Sequence, residues 1–439
     1  MAVIEVKHTA RIEGHAGIWV QVERNRVKDV KVTVPEGPRL FETLVLNRTP
    51  EETVSIVPRI CAICSVSHRL AAINALERAM ELDVPLATHL LRVLMHYGEM
   101  IESHALHVFL LALPDFLGYP NAVAMVEKHG DQVLRGLRLK KFGNRVMEIT
   151  SARYTHGENP TVGGFHRWPS RSELEEIKTE ATRLMPDGEE AVELMRGLHY
   201  PTSMEDGMVF MCLKPPTETY GFMGERVLIS TGEERPIDDY LDLTNEVVVS
   251  HSTAKRCSYN KRPYVVGPLA RMNLLGERLH GKAAEAFQRC YSLTWVRNPL
   301  YANQARAIEI LFCLQSIPAL VDRLLGMPPA QIRLPERKSG AAAGSVEAPR
   351  GTLYHYYAVG KGRVTQANMI IPTTQNFSSM ERHVQVAAEN LLRAEDSENT
   401  KLVLEMILRS YDPCVSCSAH LVDLTGSRPV VHVTHRGAL

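Results

Sequence analysis

Two cysteine pairs lie near opposite ends of the chain. Arg59-Ile60-Cys61-Ala62-Ile63-Cys64 runs on to His68, and Asp412-Pro413-Cys414-Val415-Ser416-Cys417 runs on to His420. Cysteines three apart can turn both sulfurs toward one point, because i and i+3 share a face in a helical turn. Four thiolates can close a tetrahedral zinc site. They can equally hold softer, redox-active metals, or stay free of metal. Spacing alone leaves these readings open, although the gap between the pairs is long for a compact zinc module. The other cysteines, Cys212, Cys257, Cys290 and Cys313, have no motif around them. They read as small buried apolar residues.

The elements that must carry these pairs change in period along the chain. Ile18, Val20 and Val22 alternate with polar positions, as do Val30, Val32 and Val34, with Arg24-Asn25-Arg26 between them. That pattern predicts a β-hairpin or short meander. From Ser65 the apolar residues Val66, Leu70, Ile73, Leu76 and Met80 fall on one helix face. Pro85 then opens a stretch to Leu113 with no internal proline. As one helix it would be about 40 Å long, a length typical of bundles. His156 to Gly164 reads as a loop, and 205–265 as β or irregular. Helical patterns return over 281–293, 303–325 and 379–410. Lys338 to Gly351, rich in Gly, Ala and Ser, reads as a second loop. No internal repeat and no clean linker is present. The expectation is α+β, mainly α: a long-helix core with small peripheral β elements, in one unit.

Composition narrows the function classes. The chain has 439 residues, 45% hydrophobic, enough for a large core, and Lys+Arg 50 balances Asp+Glu 50. Bulk-charge binding of nucleic acid is therefore not expected, nor is broad disorder. No run of 18 uncharged apolar residues suggests a membrane span. The N-terminus lacks a signal-peptide pattern, so a cytoplasmic location is expected. Eight cysteines are too few for a disulfide scaffold of this size.

The residues around the pairs resemble the catalytic large subunit of nickel–iron hydrogenases. Arg59 to His68 is similar to that family's R-x-C-G-x-C-x-x-x-H signature, with Ala62 replacing Gly, and Asp412 to His420 fits its D-P-C-x-x-C-x-x-H signature. Arg11-Ile12-Glu13-Gly14-His15 looks like its R-I-E-G-H opening. Ala348-Pro349-Arg350-Gly351 with His355 looks like its A-P-R-G-x-x-x-H segment. Pro372-Thr373-Thr374-Gln375-Asn376 resembles its P-[ST]-T-W-N stretch, with Gln375 where many members carry Trp. The wording is most similar to the cytoplasmic, bidirectional, multimeric branch, including the sulfhydrogenases.

The resemblance implies roles. Cys61, Cys64, Cys414 and Cys417 would hold nickel, with Cys64 and Cys417 also bridging to an iron that carries carbon monoxide and two cyanides. Glu13 would be the proton-relay carboxylate. Arg350 would overhang the metals as a fixed cation, and Thr373 would donate to a cyanide. Asp412 would pair with that arginine, and His68 would hydrogen-bond near a bridging sulfur. Glu42 and His420 would bind a magnesium or iron ion near the C-terminus. His104 and His107 share a helix face; packing and hydrogen bonding suit them better than a metal. Ser103 stands where membrane-bound relatives often have Asp.

The implied activity is reversible heterolytic cleavage of H2 to two protons and two electrons. The chain has no further cysteine motif for iron–sulfur clusters and no G-x-G-x-x-G fingerprint. Electrons would therefore leave through a small iron–sulfur subunit, then diaphorase-type flavin and iron–sulfur subunits that reduce NAD(P). Residues 1–420 would form one domain. Residues 421–439 would be an extension removed by a maturation endopeptidase after His420. The alternatives are a hydrogen-sensing regulatory member, a non-catalytic relative and a zinc-stabilised scaffold.

Overall fold

A computed structural model describes residues 2–336, 338–395 and 397–419. Three antiparallel strands, Ala2–Val6, Gly17–Glu23 and Arg26–Thr33, form the N-terminal sheet. Arg24 and Asn25 both take positive φ at the tip of its predicted hairpin, as a tight turn matching the strand twist requires. The first strand, Ala2–Val6, was not foreseen.

Helices supply the core. Helix Ser65–Ala79 begins immediately after Cys64. Helix Leu86–Ala105 continues through π-helical turns over Leu106–Ala112 into Leu113–Leu117. It packs against the 30-residue helix Ala122–Ser151 and against helix Ala302–Leu325. The run Leu86–Leu117 is long and apolar enough to cross a membrane, yet 72% of its most apolar window is buried inside the protein. Burial against neighbouring helices explains its apolar content.

The expected loop over 338–351 is instead a strand for most of its length. Gly340–Ala348 pairs with Gly351–Gly360, which pairs with Arg363–Ile370. Its small residues reflect packing, not flexibility. A Cβ at Gly344 would stand 2.2 Å from the Ala75 nitrogen and 2.7 Å from the Ala71 carbonyl oxygen. The strand thus lies directly on the backbone of helix Ser65–Ala79. The 156–164 loop contains a minimal hairpin, Pro160–Thr161 with Gly164–Phe165. The 205–265 region holds three short strands, as its composition suggested. Helices Pro372–Arg393 and Ser397–Ser410 then lead into the second cysteine pair.

Candidate metal centre

The fold brings both ends of the chain to one point. The sulfurs of Cys61, Cys64, Cys414 and Cys417 all lie within 4.8 Å of one another, and all four residues are buried. Cys61 Sγ is 3.4 Å from Cys414 Sγ, and Cys64 Sγ is 3.9 Å from Cys417 Sγ. Cys61 and Cys64 also face each other as a close sulfur pair, their Cα atoms 5.5 Å apart. Among the described residues this is the one cluster of three or more metal-ligating side chains.

Local geometry explains how each pair is presented. Cys61 follows the 3-10 turn Val57–Ile60, and its sulfur accepts the Cys64 N–H at 3.0 Å. Cys64 occupies the cap of helix Ser65–Ala79, where the helix dipole favours negative charge. Ala62 takes no positive φ, which is why alanine can replace glycine there. Arg39 ties the two pairs together, donating at 2.7 Å to the Ile60 carbonyl and also to the Ser416 carbonyl. Sequence reasoning missed this arginine, although it stands three residues before Glu42.

Glu13 runs beside the second pair. It forms a parallel bridge with Cys414, and its carbonyl accepts the Val415 N–H at 3.1 Å. Its carboxylate accepts the Ser416 N–H at 3.1 Å and the Ser416 hydroxyl. Gly14, at φ +80°, permits this approach: a Cβ there would stand 2.8 Å from Val415 Cβ. Ser416 is a second residue that sequence reasoning did not single out.

Arg350 enters from the turn between strands Gly340–Ala348 and Gly351–Gly360. Its Nε donates to the Asp412 carbonyl at 2.6 Å and its Nη2 to Asp412 Oδ1 at 3.1 Å, while Nη1 stands 3.5 Å from Ser103 Oγ. Burial works against the guanidinium charge, but Asp412, Cys414, Cys417 and Glu13 hold its pKa above the ordinary value. Burial would lift the Asp412 carboxyl, yet Arg350, His107 and Arg306 pull it well below the usual range. His107, on the π-helical turns, lies 3.1 Å from Asp412 Oδ1. His104 instead bonds Glu309 at 2.6 Å. The two histidines therefore serve different partners.

Thr373 Oγ1 accepts the Cys414 N–H at 2.9 Å. Gln375, at the position of the family's Trp, is buried and bonds the Thr352 carbonyl at 2.6 Å. A cavity beside the sulfurs is lined by Cys64, Cys414, Cys417, His68, Arg350 and Thr373, and closed by apolar Ala348, Leu353, Ile371 and Pro372. Burial and the adjacent Cys417 push the Cys414 thiol well above its ordinary pKa. Four thiolates gathered here therefore call for a cation to hold them ionised.

Glu42 lies apart from the sulfurs. Its Oε1 accepts the Met369 N–H at 2.7 Å and Asn368 Nδ2 at 3.2 Å. Its Oε2 and Asn368 Oδ1 are buried with no hydrogen-bond partner. Burial raises the Glu42 pKa to about 7. His420 and the segment 421–439 lie outside the described residues. Of the remaining cysteines, Cys212, Cys257 and Cys313 are buried as expected, whereas Cys290 is only half-buried.

A profile described as nickel-dependent hydrogenase matches residues 39–137 and 231–420. Sulfhydrogenase 1 subunit alpha of Pyrococcus furiosus is 38% identical over 96% of this chain and 98% of its own length. The NAD-reducing hydrogenase HoxS subunit beta of Cupriavidus necator is 31% identical over 96% of this chain and 94% of its own. Among solved structures, an NAD+-reducing [NiFe]-hydrogenase in the H2-reduced state superposes with a TM-score of 0.86 at 29% identity, covering 96% of this chain and all of that one. A [NiFeSe] hydrogenase from Desulfovibrio vulgaris Hildenborough shares the fold, with a TM-score of 0.79 at 20% identity. Four buried sulfurs gathered from both chain ends, beneath one fixed arginine, are thus accompanied by likeness along nearly the whole sequence: the chain belongs to the nickel-dependent hydrogenase family.

Proposed function

We propose that this chain is the catalytic subunit of a soluble, cytoplasmic nickel–iron hydrogenase, cleaving H2 reversibly and heterolytically to two protons and two electrons. The observation that carries this reading is the four-sulfur cluster with Arg350, Thr373 and Glu13 around it. When bound, a nickel–iron centre on Cys61, Cys64, Cys414 and Cys417 supplies the redox chemistry and polarises H2. An iron with one carbon monoxide and two cyanides would meet the apolar side chains of Leu353 and Ile371 and the donors of Arg350 and Thr373 in this cavity lining.

The protein's own residues would handle charge and protons. Glu13 receives the proton released beside Cys414 and Cys417, its carboxylate oriented by Ser416. It is only partly buried, so it can pass that proton outward. Asp412 fixes Arg350, so the guanidinium needs no reorganisation as charge develops. His68 hydrogen-bonds toward a bridging sulfur. Glu42 Oε2, buried and unpartnered, fits a hard cation that His420 completes.

Electrons leave through a small iron–sulfur subunit and then diaphorase-type flavin and iron–sulfur subunits to NAD(P). The support is the likeness to an NAD-reducing relative. Residues 1–420 act as one domain, and a maturation endopeptidase removes 421–439 after His420. The burial of Leu86–Leu117 inside the protein supports the soluble placement.

Infrared spectroscopy of the purified complex, with nickel and chain mass measured on the same sample, tests the reading. Carbonyl and cyanide bands, about one nickel per four-thiolate site, and a chain ending at His420 are the expected result. Stoichiometric zinc without diatomic bands overturns it.

A further inference from the structure

His68 does not stand alone beside the sulfurs. Its Nδ1 is 3.1 Å from His355 Nε2, and His355 Nδ1 is 2.8 Å from the Tyr357 hydroxyl. All three side chains are buried, with the two histidines at 1% and 0% exposure. His355 and Tyr357 belong to strand Gly351–Gly360, two residues apart and therefore on one face. Leu353, a wall of the sulfur cavity, precedes them on that face. His68 lies one helical turn beyond Cys64, so both side chains point to the same side of helix Ser65–Ala79.

The polarity of this row follows from its two ends. The sulfurs are electron-rich acceptors, so a ring nitrogen turned to them must carry a proton. His68 lines the sulfur cavity with Cys64, Cys414 and Cys417; with Nδ1 on His355, the ring nitrogen to be turned to the sulfurs is Nε2. A neutral imidazole protonated at Nε2 has a lone pair at Nδ1. His355 must then donate from its own Nε2 and accept at its own Nδ1. At the far end a tyrosine hydroxyl, protonated at neutral pH, is the natural donor to that Nδ1. Each bond demands the direction of the next. The reverse order would aim a lone pair at thiolates.

We infer that Tyr357 and His355 are positioning residues that fix the tautomer of His68, so that its Nε2–H is always offered to the bridging-sulfur side of the metal centre. This rests on the hydrogenase reading above. A thiolate that loses such a donor gives more electron density to the metals. Back-donation into carbon monoxide then rises and its stretching frequency falls.

The test is a pair of measurements on three proteins: the wild type, Tyr357→Phe and His355→Gln. Glutamine can still donate to His68 Nδ1 and accept from Tyr357. Infrared spectra of the assembled complexes should show the carbonyl band moved to lower frequency in Tyr357→Phe and at its wild-type position in His355→Gln. Nitrogen-15 spectra of histidine-labelled chain, read in the metal-loaded complex where the sulfurs are held as thiolates, should show His68 protonated at Nε2 in the wild type and in His355→Gln. Tyr357→Phe should show a mixture of tautomers. Unmoved bands in Tyr357→Phe, or a wild-type His68 protonated at Nδ1, would overturn the inference. Carbonyl bands missing from the wild type would sink the hydrogenase reading instead.

Discussion

Glu13 shows how a single side chain is prepared for its work. Its carboxylate is oriented by both donors of Ser416, which lies between Cys414 and Cys417. Glutamine at 13 could still accept from Ser416 but could not take up a proton. Glu13→Gln is therefore expected to cut H2 turnover by about 10²–10⁴-fold, the usual range for losing a general base. Nickel content and infrared bands should stay as in the wild type. Loss of nickel in the variant would mean that Glu13 builds the site instead of moving its proton. At this scale the sequence was informative where motifs are short and chemical. The four cysteines could be named from their spacing, and Glu13, Arg350 and Thr373 only from the family motifs they resemble; the structure brings them together. Residues that work through distant partners left no such trace. Arg271 forks onto Glu309 at 2.6 and 2.7 Å and also reaches Glu347 at 2.8 Å, all fully buried. Those three residues come from two helices and a strand, and no spacing announces them. The same holds for Tyr357, which matters only because the pleat sets it beside His355.

The elements carry the residues, and their errors are instructive. Long apolar periodicity made helices Ser65–Ala79 and Leu86–Ala105 legible, because packing on one face dictates the period. The strand Gly340–Ala348 was read as a loop because small residues are common in both. What separates the two is what the small residue touches, here the Ala71 and Ala75 backbone. Gly344→Val should therefore push strand from helix and destabilise the protein by about 1–3 kcal/mol, seen as a lower denaturant midpoint. Arg350 rides on the turn that ends this strand, so nickel retention should fall with it. Unchanged stability would mean that the close approach is not rigid. Helix Pro372–Arg393, which carries Thr373 in its first turn, has its own anchor. Glu381 Oε1 accepts from the Val32 N–H at 3.0 Å, His251 Nε2 at 3.0 Å and Arg256 Nη2 at 2.7 Å. Burial opposes the Glu381 charge, but His251 and Arg256 outweigh it and bring its pKa from 4.5 to about 2. A depressed carboxyl value stabilises the fold fully above pH 4.5 and loses that contribution as pH falls toward 2. The stability gap between wild type and Glu381→Gln should therefore be constant near neutrality and close on acidification below 4.5. Chemical denaturation across that range measures it, and a gap independent of pH would contradict the assignment.

At the scale of the whole molecule, the metal centre is a staple between chain ends. Glu13 and Cys414 share a bridge, and the Arg39 N–H bonds the Ala419 carbonyl at 2.8 Å. Asp115 holds the same junction from the π-helical side: it pairs with Arg11 and, at 2.6 Å, with Arg409, while Arg409 Nη1 donates to the Ala10 carbonyl at 2.6 Å. Few of these bonds join residues near in sequence, so the closure cost of bringing the ends together falls on the last contacts to form. A cation among the sulfurs would add to that closure, since burial disfavours the ionised form of Cys414. A metal that binds the folded chain and not the unfolded one stabilises it by mass action, about 4 kcal/mol at a free concentration a thousand times its dissociation constant. Removing nickel from the assembled chain should accordingly lower its thermal midpoint. It should also raise hydrogen exchange first in 9–16 and 412–419, the segments joined across the site, while helix Ala302–Leu325 stays protected. Cys61→Ser, which removes one sulfur from the first pair, should bring the loaded protein most of the way to the metal-free midpoint and the same exchange pattern. If metal removal instead loosens the helical core as early as the two ends, then the ends are held by their own hydrogen bonds, and the metal serves chemistry without serving the fold.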